Sequence, residues 1–224
     1  MTHSRRSLLA AAAGATVALS AGCLDFATGD GPLEFESDRV APTDEALEDA
    51  EFEEEDVREE KIDEDLGELV DVDVDRRVEA SFWISAYVHN AEFGDGSGSM
   101  EAAVFTALSI PGMDVLGSNQ NPISDMDNDE IVDEFKEQLE TDQGSLREVE
   151  HDTSYDLEVL DDERTVDVFD AVVERDGEEY DVVLEMASFD HEDDIIVLVG
   201  VYPEELEEDE PPIDDLMASV EHPI

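Results

Sequence analysis

The chain has 224 residues and carries 66 acidic against 11 basic side chains, for a formal charge of −55. Phosphate binding needs a basic footprint, so this composition argues against nucleic acid as a partner. Charge of this size also predicts disorder in dilute buffer, yet 41% of the residues are apolar and fall into strand-like and helix-like patterns.

Concentrated salt reconciles the two observations. At about 1 M ionic strength the Debye length is roughly 3 Å, so carboxylates a few residues apart barely repel. Salt whose ions are excluded from the surface also strengthens apolar burial. The acids are spread along the chain instead of gathered in one tail, and Lys61 and Lys136 are the only lysines. Both features point to a solvated acidic surface in a halophile.

Residues 1–22 contain no acid at all. They open Met1-Thr2-His3-Ser4-Arg5-Arg6-Ser7-Leu8-Leu9 and continue into an Ala-rich stretch from Ala10 to Leu19. A basic start, a short apolar segment and small residues before a cut site define an export signal. Ser4-Arg5-Arg6-Ser7-Leu8-Leu9 resembles the twin-arginine consensus, a receptor-read address. As an uncleaved helix, the uncharged run Ser7–Leu24 has 18 residues and would barely span a bilayer. The single cysteine, Cys23, ends Leu19-Ser20-Ala21-Gly22-Cys23, which resembles a lipobox, although Ser20 stands where Leu is usual. With no second cysteine, no disulfide can form within the chain. The expected organisation is a twin-arginine signal peptide over 1–22, a lipidated cysteine and tether over 23–32, and one acidic domain over 33–224. Cys23 is the lipidation site and Arg5 with Arg6 the export signal, placing the protein on the outer face of the cell membrane.

Along the mature chain, Leu33-Glu34-Phe35-Glu36 reads as a short strand, and Thr43 opens a capped helix through Leu47. The acidic stretch from Glu51 to Leu66 is open between an edge strand and a partly ordered loop. Val78, Ala80, Phe82, Ile84, Ala86 and Val88 alternate with Glu79, Ser81, Trp83, Ser85 and Tyr87, predicting a strand with one dry and one mixed face. Gly94–Ser99 is a hairpin loop, and Ala102–Ile110 returns as the next strand. Asp127-Asn128-Asp129-Glu130 forms a capping box, and Ile131, Val132, Phe135 and Leu139 line one face of the helix it starts. Further strands fall within Leu146–Leu160 and over Thr165–Glu174. The Asp176-Gly177 turn leads into Tyr180, Val182, Leu184 and Met186 on one face. Ile195–Tyr202 is apolar on both faces and belongs at the centre of a sheet. Pro211-Pro212 opens a last helix with Ile213, Leu216, Met217 and Val220 on one side. The expected class is α+β: an antiparallel sheet of about six to eight strands with two main helices packed on it.

Several stretches resemble the uncharacterised haloarchaeal lipoproteins that share a domain of unknown function. They are Arg5-Arg6 with Ala21-Gly22-Cys23-Leu24-Asp25-Phe26, Ala103-Val104-Phe105-Thr106, Val115-Leu116-Gly117 with Asn121-Pro122, and Val199-Gly200-Val201-Tyr202-Pro203. The resemblance implies location and fold but brings no activity. The order of elements also loosely resembles the PsbP-like fold, a sheet flanked by helices, which implies an accessory or binding role.

Candidate sites are few. Asp71, Asp73 and Asp75, and again Asp125, Asp127 and Asp129, set carboxylates at alternate positions. The calcium loop that uses this spacing needs Gly at its sixth place and Glu at its twelfth, and neither triplet has them. His191-Glu192-Asp193-Asp194 offers metal ligands from one loop, but His89, His151 and His222 are remote in sequence and zinc needs three or four convergent ligands. Trp83 and Tyr87 share the mixed strand face; they offer a stacking surface or, as is more usual for such residues, lie under a helix. No nucleophile elbow, phosphate loop or paired cysteines occur. The expectation is therefore no catalytic, cofactor-binding or metal residue. The chain reads as a non-enzymatic binding or accessory module, held to the membrane through lipid on Cys23 and partnered by an envelope protein. The alternative is an extracytoplasmic hydrolase whose catalytic acids are hidden among the surface acids.

Overall fold

The computed structural model describes residues 32–65, 77–92, 99–115, 118–119, 121, 123–124, 126–138, 145–175, 178–204 and 211–224. The chain separates into two compact units, residues 1–34 with 63–79 and residues 35–62 with 80–224. In the first, Arg77 donates to Asp63 at 2.8 Å. All that follows on the core and its sites concerns the second.

Strands dominate. In chain order they are β1 (Leu33–Glu36), β2 (Ala41–Pro42), β3 (Phe52–Asp65), β4 (Arg77–Glu92), β5 (Ser99–Pro111), β6 (Asp114–Val115) and β7 (Ser118–Asn119), then β8 (Ser145–Val159), β9 (Asp162–Arg175), β10 (Glu178–His191), β11 (Asp194–Pro203) and β12 (Val220–Glu221). Helices α1 (Asp44–Asp49), α2 (Asn128–Gln138) and α3 (Ile213–Ala218) have only 6, 11 and 6 residues. The expected α+β class with two main helices, and with it the PsbP-like arrangement, is therefore overturned by a mostly β fold. The physical reason is that the acidic stretch 52–65 is itself a strand, while the last helix ends at Ala218 and Val220 enters β12.

The main sheet has eight strands in the order β1-β4-β5-β11-β10-β9-β8, with β3 also paired to β4. The β4–β5, β5–β11, β11–β10, β10–β9 and β9–β8 ladders are all antiparallel. As its doubly apolar sequence requires, β11 lies inside the sheet, between β5 and β10. The β8–β9 hairpin turns on Leu160 and Asp161, both at positive φ, as the twist-matched two-residue turn demands.

Alternation along each strand sorts the core into two layers. Ile196 and Leu198 pack with Phe105, Ala107, Val183, Ala187, Tyr87 and Tyr202 beneath Ile213, Leu216 and Met217 of α3. Ile195 and Val197 point the other way and pack with Leu184, Met186 and Phe169 against Ile131 and Val132 of α2. Fully burying one such side chain contributes about 1.5–3 kcal/mol, so these two layers hold the sheet between the short helices. The layer under α3 is tight: a Cβ on Gly200 would lie 2.3 Å from Ile213 Cγ2, so only glycine lets the helix sit this low.

Local signals act as expected at the starts of α1 and α2. Thr43 accepts from the Ala46 amide at 3.3 Å. Asp127 accepts from the Glu130 amide at 3.0 Å, while Glu130 accepts from the Asp127 amide at 3.3 Å, a reciprocal capping box. The face assignment on β4 holds only in part. Val78, Ala80 and Val88 of the dry face are buried and Phe82, Ile84 and Ala86 half-buried, but Ser81, Ser85 and Tyr87 of the mixed face are buried as well. Ser85 and Tyr87 can enter the interior because the Arg39 guanidinium supplies partners for both, whereas Ser81 Oγ is buried with no hydrogen-bond partner among the described residues.

Candidate functional site

The residues richest in chemistry meet where the β10–β11 hairpin touches the carboxyl-terminal segment. Glu192 and Asp193 make the two-residue turn, and His191 pairs with Asp194 across it. Pairing of Val220 with Pro42 and Glu221 with Ala41 then sets His222 beside this hairpin. The His222 and Asp194 side chains are 1% and 6% exposed.

Asp194 Oδ2 accepts three hydrogen bonds: from the Asp38 amide at 2.9 Å, from His222 Nε2 at 3.0 Å and from Ser109 Oγ at 3.3 Å. An ionised carboxylate only accepts, so the shared proton belongs to Nε2. The opposite nitrogen of His222, Nδ1, lies 2.9 Å from Nδ1 of His191, with the ring planes 71° apart. Ser37 Oγ closes the cluster by donating to the Ser109 carbonyl at 2.7 Å. Burial pushes the Asp194 pKa up, and the Asp38 amide, His222 and Ser109 oppose it only in part.

Serine, histidine and aspartate are thus together, but not in the order that makes a nucleophile. Activating a serine needs it on one imidazole nitrogen and the carboxylate on the other. Here both face Nε2, with Ser109 Oγ at 3.5 Å, and Ser109 is fully buried. The arrangement instead ties three other parts of the chain to one carboxylate. Hydrogen bonds to a charged group contribute about 1.5–3 kcal/mol each, so the cluster is a strong internal lock.

Two more polar groups lie on the same face of the sheet. Arg39 donates from Nε to Ser85 Oγ and from Nη2 to the Tyr87 hydroxyl and Glu54, each at 3.1 Å. Burial raises the Tyr87 pKa, opposed by Arg39. Glu185, only 3% exposed, accepts from the Tyr155 hydroxyl at 2.5 Å and the Tyr202 hydroxyl at 2.9 Å.

A family model described as domain of unknown function (DUF6517) matches residues 39–221, a range that holds Ser109, His191 and Asp194 of the lock but not Asp38 or His222. The chain belongs to that family. No curated protein and no solved structure matches it.

The lock of this DUF6517 domain was only partly visible in the sequence. His191-Glu192-Asp193-Asp194 is indeed a turn between strands, and the fold adds His222, which lies 31 residues from His191. As a metal site the group does not converge, since Asp194 and His191 hold opposite edges of the His222 ring. Among the described residues, no set of three or more His, Cys, Asp or Glu side chains could hold a metal ion. His89 and His151 lie elsewhere: His89 Nδ1 is 3.1 Å from the Glu51 carbonyl, and His151 sits beside Asp167. Asp127 is the capping residue of α2 and Asp129 is exposed. Asp125, the triplet Asp71, Asp73 and Asp75, and Arg5, Arg6 and Cys23 fall outside the described residues, as do Gly94, Asp176, Gly177 and Leu139. Tyr87 is core and Trp83 half-buried, so they do not form an open stacking face. The pattern misses Glu185, because Tyr180, Val182, Leu184 and Met186 share the other face of that strand; the available signal is the pair of strand tyrosines, Tyr155 and Tyr202, that serve it.

The opposite face carries a more open network. Asp167 accepts from Ser154 Oγ at 2.6 Å and from Asn128 Nδ2 at 2.7 Å, and His151 Nε2 lies at 3.4 Å. Burial acts to raise its pKa, but the bonds from Ser154, Asn128 and His151 together hold it below the ordinary carboxyl value. Nearby, Glu148, Glu150, Asp170, Asp181 and Glu204 line an open hollow of about 570 Å³.

Proposed function

We infer that the chain is a twin-arginine-exported, lipid-anchored protein of a haloarchaeon, whose folded domain serves as a non-enzymatic binding or accessory module on the outer face of the membrane. The anchor rests on the acid-free leader with Arg5 and Arg6, and on Cys23 directly after Ala21-Gly22. No described helix is long and apolar enough to cross a membrane. One acyl chain holds only marginally, so a two-chain lipid on Cys23 is the expectation.

The observation that carries the module reading is the use of Ser109, His222 and Asp194 as internal ties. The side chains best able to do chemistry are engaged with one another in the interior. Crosslinking and co-purification from intact membranes in molar salt tests this part: a reproducible envelope protein partner is expected, and recovery of none would count against it.

The anchor has its own test. Cys23→Ser should free the protein into the medium or leave an unprocessed form of higher mass on the membrane. Replacing Arg5 and Arg6 with lysine should instead hold the precursor in the cytoplasm. A Cys23→Ser protein that stays on the membrane at mature mass overturns the lipid anchor.

A further inference from the structure

The hairpin and the carboxyl-terminal segment meet through two imidazoles whose Nδ1 atoms are 2.9 Å apart. A hydrogen bond between two such nitrogens holds one proton, donated by one ring to the lone pair of the other. Two protonation states satisfy it. With both rings neutral, His222 keeps its proton on Nε2 toward Asp194 and accepts at Nδ1 from His191. With one added proton, His222 donates from both nitrogens, to Asp194 and to His191, and His191 carries its own proton on Nε2. A second added proton leaves two N–H groups facing each other at this distance on two cations, and the contact cannot persist.

We propose that the His191–His222 pair is a pH-sensitive latch, closed on the segment Ser219–Ile224 at neutral pH and opened in acid by the second proton. The segment's other ties include the two-residue β2–β12 ladder, the Thr43 amide on the Ser219 carbonyl at 3.3 Å, Val220 in the core and the Ile224 amide on the Arg39 carbonyl at 3.1 Å. Between them sits His222, whose side chain is 1% exposed and whose other partner is Asp194. Once His191 repels it, the ladder loses its only buried polar anchor among the described residues.

The charged groups around the pair come from several elements. Asp194 begins β11, Asp190 precedes His191, and Glu192 and Asp193 form the turn. Glu158 and Asp161 of the β8–β9 hairpin line the same hollow as Glu221, His222 and Ile224. The Arg39 guanidinium is engaged by Ser85, Tyr87 and Glu54. These acids offset part of the added charge, but none has room between two nitrogens at hydrogen-bond distance, so the two facing N–H groups of the doubly protonated pair stay without an acceptor. This device is independent of export and anchoring.

Hydrogen exchange of the full chain in molar salt, read by mass spectrometry on the Ser219–Ile224 peptide, tests it between about pH 8 and about pH 5, the span over which imidazoles ordinarily titrate. After correction for the intrinsic pH dependence of exchange, this peptide should exchange about tenfold faster or more at the acid end, while β11 peptides stay protected. In His191→Gln the acceleration should vanish, because the glutamine oxygen accepts from a protonated His222 and its amide donates to a neutral one. Equal protection at both pH values in the native chain overturns the latch. So does equal acceleration in the native chain and His191→Gln, which would assign the opening to Asp194 or another acid. His191→Gln lies on a half-exposed turn, so the comparison does not depend on a core variant folding.

Discussion

Asp194 and Asp167 are both multiply hydrogen-bonded carboxylates, one on each face of the same sheet, yet their environments push them in opposite directions. Asp194 is sealed at 6% exposure, and loss of water raises its pKa despite three donors. Asp167, at 21% side-chain exposure, keeps enough water that its donors win and its pKa falls. The number of hydrogen bonds does not decide the sign; the solvent left around the carboxylate does.

Salt separates the two regions most broadly. Lowering ionic strength to about 0.1 M widens the Debye length to roughly 10 Å. Repulsion among exposed acids such as Glu148, Glu150 and Asp170 should then loosen the whole domain, whereas the buried Asp194 cluster is hardly screened at any salt. Circular dichroism and melting temperature against KCl concentration would read this, and an unchanged melt at low salt would sink the halophilic account of the surface.

Removing the buried carboxylate is the next largest effect. Asp194→Ala strands the Asp38 amide, His222 Nε2 and Ser109 Oγ in the interior and should destabilise by about 3 kcal/mol or more, measured by denaturant unfolding in molar salt. Asp167→Asn should be milder, about 1 kcal/mol, since the amide oxygen still accepts and water reaches the site. A larger loss at Asp167 than at Asp194 would overturn the ranking by burial.

The smallest effect is the sharpest test of sign. The depressed Asp167 contributes stability above the ordinary carboxyl value of 3.8, and that contribution is lost as pH falls through its lower folded value. The raised Asp194 runs the other way: its contribution is present below 3.8 and is lost as pH rises through the raised value. The gap in melting temperature between native protein and Asp167→Asn should therefore narrow as pH drops below about 4. A gap that widens in acid would contradict the network seen around Asp167.

Residue type alone determined the local features of this chain. Thr43 and the Asp127–Glu130 pair were legible as caps because a capping bond spans three residues and needs no partner from elsewhere. The interior place of β11 followed from Ile195–Tyr202 being apolar on both faces, which leaves no side for water. The proposed membrane address likewise rests on the local run from Arg5 to Cys23. Only the tertiary structure decided the class, because the acidic segment 52–65 has no local preference strong enough to separate strand from loop and gains its order by pairing with β4. It also decided which polar groups go inside. Ser85 and Tyr87 fall on a mixed face by pattern and Glu185 opposite an apolar one, and they are buried where Arg39, Tyr155 and Tyr202 reach them from other strands and loops. The Asp194 lock is the clearest case: its partners lie 28, 85 and 156 residues away, and nothing in a linear pattern records such a meeting.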